Sequence, residues 1–281
     1  MIVTVGFVGW LLSGMAIAPI RTSYQQLKQF TADASHELRN PIAVIQTNVQ
    51  VALADPDEQF QRTQLQVVER LTRRLGRLVD DLLFLARQES GLIPIQKEPV
   101  DLSQLLKEVI EEQQAIAQEK HLILTYTPYT AAERSRSRSV STGESPIHGD
   151  PTQLTRLFTN LIANAIQYTP TGSITLTTTE SNNQIKTTIT DTGIGIPEKD
   201  LAHIFDRFYR VDPARSRNTG KNAGGSGLGL AIAKIITENH QGTLTLTSEV
   251  ASDKSTEHGT SKHGTTVTVT LPKNNPPQTS A

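Results

Sequence analysis

The sequence contains no cysteine. Disulfides, thiolate metal sites and cysteine nucleophiles are therefore excluded. It also has no excess of either charge: 27 Lys and Arg face 28 Asp and Glu, a formal net charge of -1. A general nucleic-acid binder presents a basic face, so no nucleic-acid partner is expected. The 7 histidines show no ligand spacing. His258 and His263, in a polar stretch, carry no functional signal of their own. With 281 residues, the chain can form one or two domains with real cores.

Charge is missing altogether from residues 1–20, MIVTVGFVGWLLSGMAIAPI. About 20 apolar residues span a bilayer, so this stretch reads as a transmembrane helix. Arg21 and Lys28 follow, which puts everything after residue 20 on the cytoplasmic side of a single-pass protein. A cleaved signal peptide would have a basic start and a shorter apolar region, and neither is present. A buried helix of a soluble domain is the weaker alternative. No extracellular sensor domain fits before the span, so the chain is expected to be a fragment or to have its sensing done elsewhere.

From residue 22 to 54, Leu27, Phe30, Ala34, Leu38, Ile42, Ile45, Val49 and Ala52 recur every three or four positions, the pattern of one amphipathic helix. Asp55-Pro56-Asp57 signals a turn. A second helix is expected from Glu58 to Gln88, where Leu71, Leu75, Leu78, Leu82 and Leu85 form a bundle-like seam. Two helices with one apolar stripe each cannot close a core. A symmetric dimer would complete a four-helix bundle. After Gly91 and Pro94 the pattern changes. Helices are expected at 102–120, 154–168 and 230–239, and strands at 122–127, 173–179, 184–191, 243–247 and 265–271. Helices interleaved with a mixed sheet make an α+β sandwich. Residues 131–146, 210–226 and 251–264 read as loop insertions. The Arg-Ser alternation in the first of them is read as solvated loop rather than a nucleic-acid arm. The domains expected are 1–20 (transmembrane helix), 21–90 (helical hairpin), 95–272 (sandwich) and 273–281 (disordered tail).

Ser35-His36-Glu37-Leu38-Arg39-Asn40-Pro41 is the most informative run. At about 100° per residue, His36 points away from the seam that holds Ala34 and Leu38. Neutral imidazole is a competent nucleophile when a neighbouring base takes its proton, and Glu37 is adjacent. Asn40 lies one turn on, over the same face. Pro41 removes the N–H that would bond the Glu37 carbonyl, so a kink is expected there. From His36 and Glu37 alone, an ordinary surface histidine is the simpler reading. Downstream, Asp191-Thr192-Gly193-Ile194-Gly195 follows a strand. Gly193 and Gly195 allow a tight turn, and Asp191 can accept from an exocyclic amine, which adenine has and guanine lacks at that edge. Asn160 and Asn164 share a helical face and offer oxygen donors that suit Mg²⁺. Gly224-Gly225-Ser226-Gly227-Leu228-Gly229 leads into a helix, where backbone N–H groups can meet anions. Each signal alone also fits a hairpin turn, buried capping amides or a flexible hinge.

The run SHELRNP closely resembles the H-box of sensor histidine kinases, and Phe30-Thr31-Ala32-Asp33-Ala34 fits the same family. The downstream stretches, with Ile204-Phe205-Asp206-Arg207-Phe208-Tyr209-Arg210, resemble the N, G1, F and G2 boxes of its GHKL-type ATP-binding domain. The resemblance covers about residues 22–272. It implies a membrane-anchored kinase that phosphorylates His36 from Mg·ATP and passes the phosphoryl group to an aspartate of a response regulator. It implies Glu37 as general base, and Asn40 as a residue for positioning and for phosphatase action on that regulator. It implies Mg²⁺ at Asn164, helped by Asn160. Adenine is implied at Asp191 beside Gly193 and Gly195, with Tyr168 and Thr266 nearby. The triphosphate is implied at Gly225, Gly227 and Gly229, under a lid running from Arg207 to Gly227, with Arg215, Arg217 and Lys221 as lid cations that either meet phosphate or are solvated loop charges. The chain departs from many relatives at Gln167, where they carry Lys or Arg, and its lid is a few residues longer. A GHKL clamp ATPase would have no use for the SHELRNP helix, and a non-catalytic scaffold would not need these motifs intact.

Overall fold

The apolar spacing of residues 22–88 becomes two long helices. The structure, a computed structural model, describes residues 2–90, 95–128, 147–181, 183–211, 225–250 and 263–273; side chains 2–24, 26, 27, 89 and 90 lie outside that set. Helix α1 spans Ile2–Ala54 and α2 spans Glu58–Ser90. The expected transmembrane stretch forms the start of α1, but its side chains are not among those described. Among the described residues, no helix is long and apolar enough to cross a membrane. The turn between the helices is held by side chains. Asp55 Oδ1 accepts from the Asp57 N–H at 2.9 Å, and Asp57 Oδ1 from the Gln59 N–H at 2.9 Å, which caps α2. On α1, Phe30, Ala34, Leu38, Ile45 and Val49 are half-buried and Ala52 is buried. On α2, Leu78 and Leu85 are buried, and Leu71, Leu75 and Leu82 half-buried. The helix runs through Pro41 without ending.

The chain divides into two compact units, residues 1–86 and 87–281. In the second, strands β1 (Glu98–Val100) and β3 (Ile147–Gly149) pair antiparallel. Neither was expected, because three-residue strands are too short to show a period. The main sheet contains β2 (Ile123–Thr127), β4 (Ser173–Glu180), β5 (Gln184–Asp191), β6 (Thr243–Glu249) and β7 (Gly264–Pro272), in the order β2-β4-β5-β7-β6. The β2–β4 pair is parallel and the others antiparallel.

Helices α3 (Leu102–Glu119), α4 (Pro151–Tyr168) and α6 (Gly229–Asn239) supply the other layer, and a short α5 (Glu198–Leu201) lies between β5 and α6 in the chain. Asp101 caps α3 and Asp150 caps α4, each accepting from an N–H three residues on. Pro151 at the first position of α4 is pre-set for that start, which is why the helix begins before Leu154. Leu154, Leu157, Phe158 and Ile162 of α4, Ile232 and Ile236 of α6, and Ile174, Leu176, Ile189 and Val269 of the sheet are buried to 1% exposure or less. The opposite sheet face is threonine: Thr125, Thr175, Thr190, Thr266 and Thr247 line up across the five strands, as do Thr127, Thr177, Thr188, Thr268 and Thr245. A β-branched side chain with a hydroxyl favours the strand without exposing an apolar surface.

Candidate functional site

The histidine of the first unit stands free of the seam. His36 and Asn40 are exposed one turn apart on α1, with Glu37 half-buried between them. Ser35 donates to the Thr31 carbonyl at 2.7 Å, which keeps its hydroxyl on the helix.

In the second unit, Tyr168, Gly193 and Gly195 gather around Asp191 at the end of β5. Asp191 is 7% exposed. Its Oδ1 accepts from the Gly193 N–H at 2.8 Å and the Thr265 N–H at 3.1 Å. Both bonds fall on one oxygen, which leaves Oδ2 to an outside donor. Burial pushes the Asp191 carboxyl above its ordinary range, and the two N–H donors pull against that shift. Gly193 has no room for a side chain: a Cβ would lie 2.5 Å from the Tyr168 carbonyl and 2.7 Å from Asp191 Oδ1. The Ile194 N–H donates to that same Tyr168 carbonyl at 3.2 Å, so the turn through Gly193 and Gly195 is tied to the end of α4. Tyr168 is 45% exposed at this rim.

One face of α4 meets the glycine-rich segment. Asn160 and Asn164 are half-buried there. Asn160 Nδ2 donates to the Gly229 carbonyl at 3.4 Å, and a Cβ on Gly229 would lie 3.8 Å from Asn164 Nδ2. Farther along the same face, Gln167 Oε1 would be 3.7 Å from a Cβ on Gly225. The start of α6 therefore lies over a row of amides. Gly227 (φ +74°) accepts the Phe208 N–H at 3.0 Å, and a Cβ on Gly227 would come within 2.7 Å of the Phe208 carbonyl carbon. Phe208 itself has φ +61°, a strained conformation for an aromatic residue. Beside it, the Tyr209 hydroxyl donates to Asp200 Oδ1 at 2.7 Å.

Three expectations fare differently. Thr266 does not face Asp191: it pairs with Thr190 on the threonine side of the sheet, their hydroxyls 3.2 Å apart. The residue on the Asp191 side is Thr265, because side chains alternate faces along a strand. His263 is not featureless, since its Nδ1 lies 2.9 Å from the Gly193 carbonyl and donates to it. Arg215 and Lys221 lie outside the described residues.

Comparison with known proteins bears on what these sites are. Residues 26–91 match the His Kinase A (phospho-acceptor) domain, and residues 149–275 the histidine kinase-, DNA gyrase B- and HSP90-like ATPase. The chain is 42% identical over 247 residues to the sensor histidine kinase RppB of Synechocystis sp., an alignment covering 87% of this chain and 51% of RppB. The histidine kinase AdeS of Acinetobacter baumannii shares the fold with a TM-score of 0.60 at 23% identity, over 85% of this chain and 98% of that one. Histidine kinase ThkA, solved in complex with response regulator protein TrrA, shares it with a TM-score of 0.62 at 20% identity, over 90% of this chain and 64% of that one. The chain spans about half the length of the curated relatives it matches. The helical hairpin, the ATPase sandwich and these relatives together make the chain a member of the sensor histidine kinases of two-component systems.

Proposed function

We propose that the chain transfers the γ-phosphoryl group of Mg·ATP to His36 and then to an aspartate of a response regulator. The observation that carries this reading is the exposed His36–Asn40 face within a phospho-acceptor domain, on one chain with an ATPase unit that presents Asp191 Oδ2. A lone pair on a neutral ring nitrogen of His36 (Nε2 by the family resemblance) attacks the γ-phosphorus. The bond from that phosphorus to the β,γ-bridging oxygen breaks, ADP leaves, and Glu37 takes the imidazole proton. Asp191 Oδ2 accepts from the adenine amine, with Tyr168 and Thr265 at the edge of the base site. Backbone N–H groups from Gly225 to Gly229, at the start of α6, meet the phosphates. Asn164, with Asn160, holds Mg²⁺; amide oxygens on one half-buried face suit a hard cation. When bound, that ion neutralises phosphate charge. Arg215 and Lys221, outside the described residues, are the lid cations assigned to the phosphates by the family resemblance, and Gln167 contributes a neutral amide where many relatives have a cation. Asn40, exposed one turn from His36, supports phosphatase action on the regulator as a second activity.

The assembly we infer is a homodimer anchored in the membrane by residues 1–20, with the kinase core in the cytoplasm. Ile42, Val44, Val51, Leu65, Val79 and Leu83 of the hairpin are 39–55% exposed, apolar surface that a second copy would cover in a four-helix bundle. The complex recorded for ThkA supports a response regulator as partner. Autophosphorylation with γ-labelled Mg·ATP, wild type beside His36→Gln, tests the reading. Label that is lost in acid, survives alkali and vanishes in the variant is expected. ATP hydrolysis without label, insensitive to the substitution, would replace it with a clamp ATPase.

A further inference from the structure

The turn that carries Gly193 and Gly195 is held from outside by residues that no nucleotide motif contains. Ser248, near the end of β6, has its Oγ 2.8 Å from the Ile196 N–H, 2.8 Å from the Gly264 carbonyl and 2.8 Å from Thr265 Oγ1. A hydroxyl has one proton and two lone pairs, which assigns all three bonds. Ser248 donates to the Gly264 carbonyl, and it accepts from Ile196 N–H and from the Thr265 hydroxyl. The Thr265 N–H then donates to Asp191 Oδ1 at 3.1 Å, the oxygen that also takes the Gly193 N–H at 2.8 Å. His263 closes the other side, Nδ1 to the Gly193 carbonyl at 2.9 Å. The turn is thus gripped at both ends, at Gly193 by His263 and at Ile196 by Ser248, which is itself bonded to Gly264 and Thr265 next to His263.

We propose that Ser248 and His263 are positioning residues for the nucleotide base, bracing the Gly193–Ile196 turn so that Asp191 keeps Oδ2 aimed at an exocyclic amine. The inference rests on the reading of Asp191 as the base acceptor. Neither residue touches the base, so both act through Asp191 and the turn. Loosening the brace lets the carboxylate and the backbone wander. That costs the discrimination of adenine from guanine more than it costs phosphate contacts, which come from other elements.

The test is titration of the full chain with Mg·ADP and Mg·GDP, for wild type, Ser248→Ala, Ser248→Thr, His263→Ala and His263→Asn, with thermal unfolding of each variant as a control for folding. Thr keeps the hydroxyl and Asn keeps a donor near the place of Nδ1. The alanine variants are expected to bind ADP about ten-fold more weakly, the scale of one lost hydrogen bond in a part-buried network, with GDP affinity nearly unchanged. The Thr and Asn variants are expected to recover most of the loss. Wild-type ADP affinity in both alanine variants, or equal losses for ADP and GDP, would overturn the brace while leaving the nucleotide site intact. Wild type that prefers neither nucleotide would instead remove the Asp191 reading on which the brace depends.

Discussion

Replacing Asp191 by Asn separates what the residue does for the fold from what it does for a ligand. The carboxylate is 7% exposed and takes two backbone N–H donors on Oδ1. An Asn amide oxygen in the same place accepts both, so the turn through Gly193 is expected to survive. The group that changes is Oδ2, which becomes an NH₂ donor facing the amine of the base. A hydrogen bond to a charged group contributes about 1.5–3 kcal/mol, so ADP binding should weaken by roughly 10- to 150-fold. Folding should move the other way. Burial raises the Asp191 carboxyl above its ordinary value of 3.8, which means that ionisation is harder in the folded chain than in the unfolded one. A carboxyl raised in this way costs stability as pH climbs from 3.8 through its folded value, and the cost is complete above it. The variant avoids it, so it should equal or exceed wild type in stability at neutral pH, and its advantage should shrink toward pH 4. Wild-type ADP binding should also fall on acidification as Oδ2 is protonated, while the residual binding of the variant should lack that step. Nucleotide titration and urea unfolding across pH 4–8 measure both. A variant that binds ADP at full strength, or that loses stability and affinity together at neutral pH, would refute the assignment of Oδ2 to the ligand and Oδ1 to the fold.

Further outcomes are expected. Asn164→Asp places a carboxylate on the amide row of α4 and should shift the Mg²⁺ dependence of ADP binding several-fold while leaving the hairpin dimer unchanged; identical Mg²⁺ titrations of variant and wild type would remove Asn164 as the metal ligand. His240 is 4% exposed, accepts the Asp150 N–H on Nε2 at 2.9 Å, and donates from Nδ1 to the Ile236 carbonyl at 2.7 Å. Its pKa is lowered, chiefly by burial, so its stability contribution is complete above the unfolded value of about 6.5 and is lost as pH falls from there to the folded value. The unfolding midpoint of the second unit should therefore drop between pH 7 and pH 5; a flat profile there would show that His240 accommodates its proton.

The periodic elements were legible because their signals are local. Apolar residues three and four apart made α1 and α2, and alternation made β5 at the bounds expected, Gln184–Asp191. The helix start at Leu102 is the expected one, while α4 starts at Pro151, three residues before the expected Leu154, because Asp150 caps it. Strands β1 and β3 were not legible, since three residues carry no period and their pairing joins segments far apart in the chain.

The candidate chemistry divides in the same way. The sequence by itself determined the chemical types: an imidazole beside a carboxylate on an amphipathic helix, two amides on one face of another, an Asp before a Gly turn, and glycines before α6. Those follow from the 3.6-residue period and from which residues tolerate a tight turn. Only the tertiary structure decided that Thr265 rather than Thr266 faces Asp191, because the register between β5 and β7 sets which side of the sheet each threonine takes, and a one-residue shift reverses every side chain. It alone brought Ser248 and His263 to the Gly193 turn, through hydrogen bonds that span 52 and 70 positions of chain. No local pattern encodes such a meeting. It exists because the sheet order sets β7 between β5 and β6, so that the end of one strand and the start of the next arrive at the same turn.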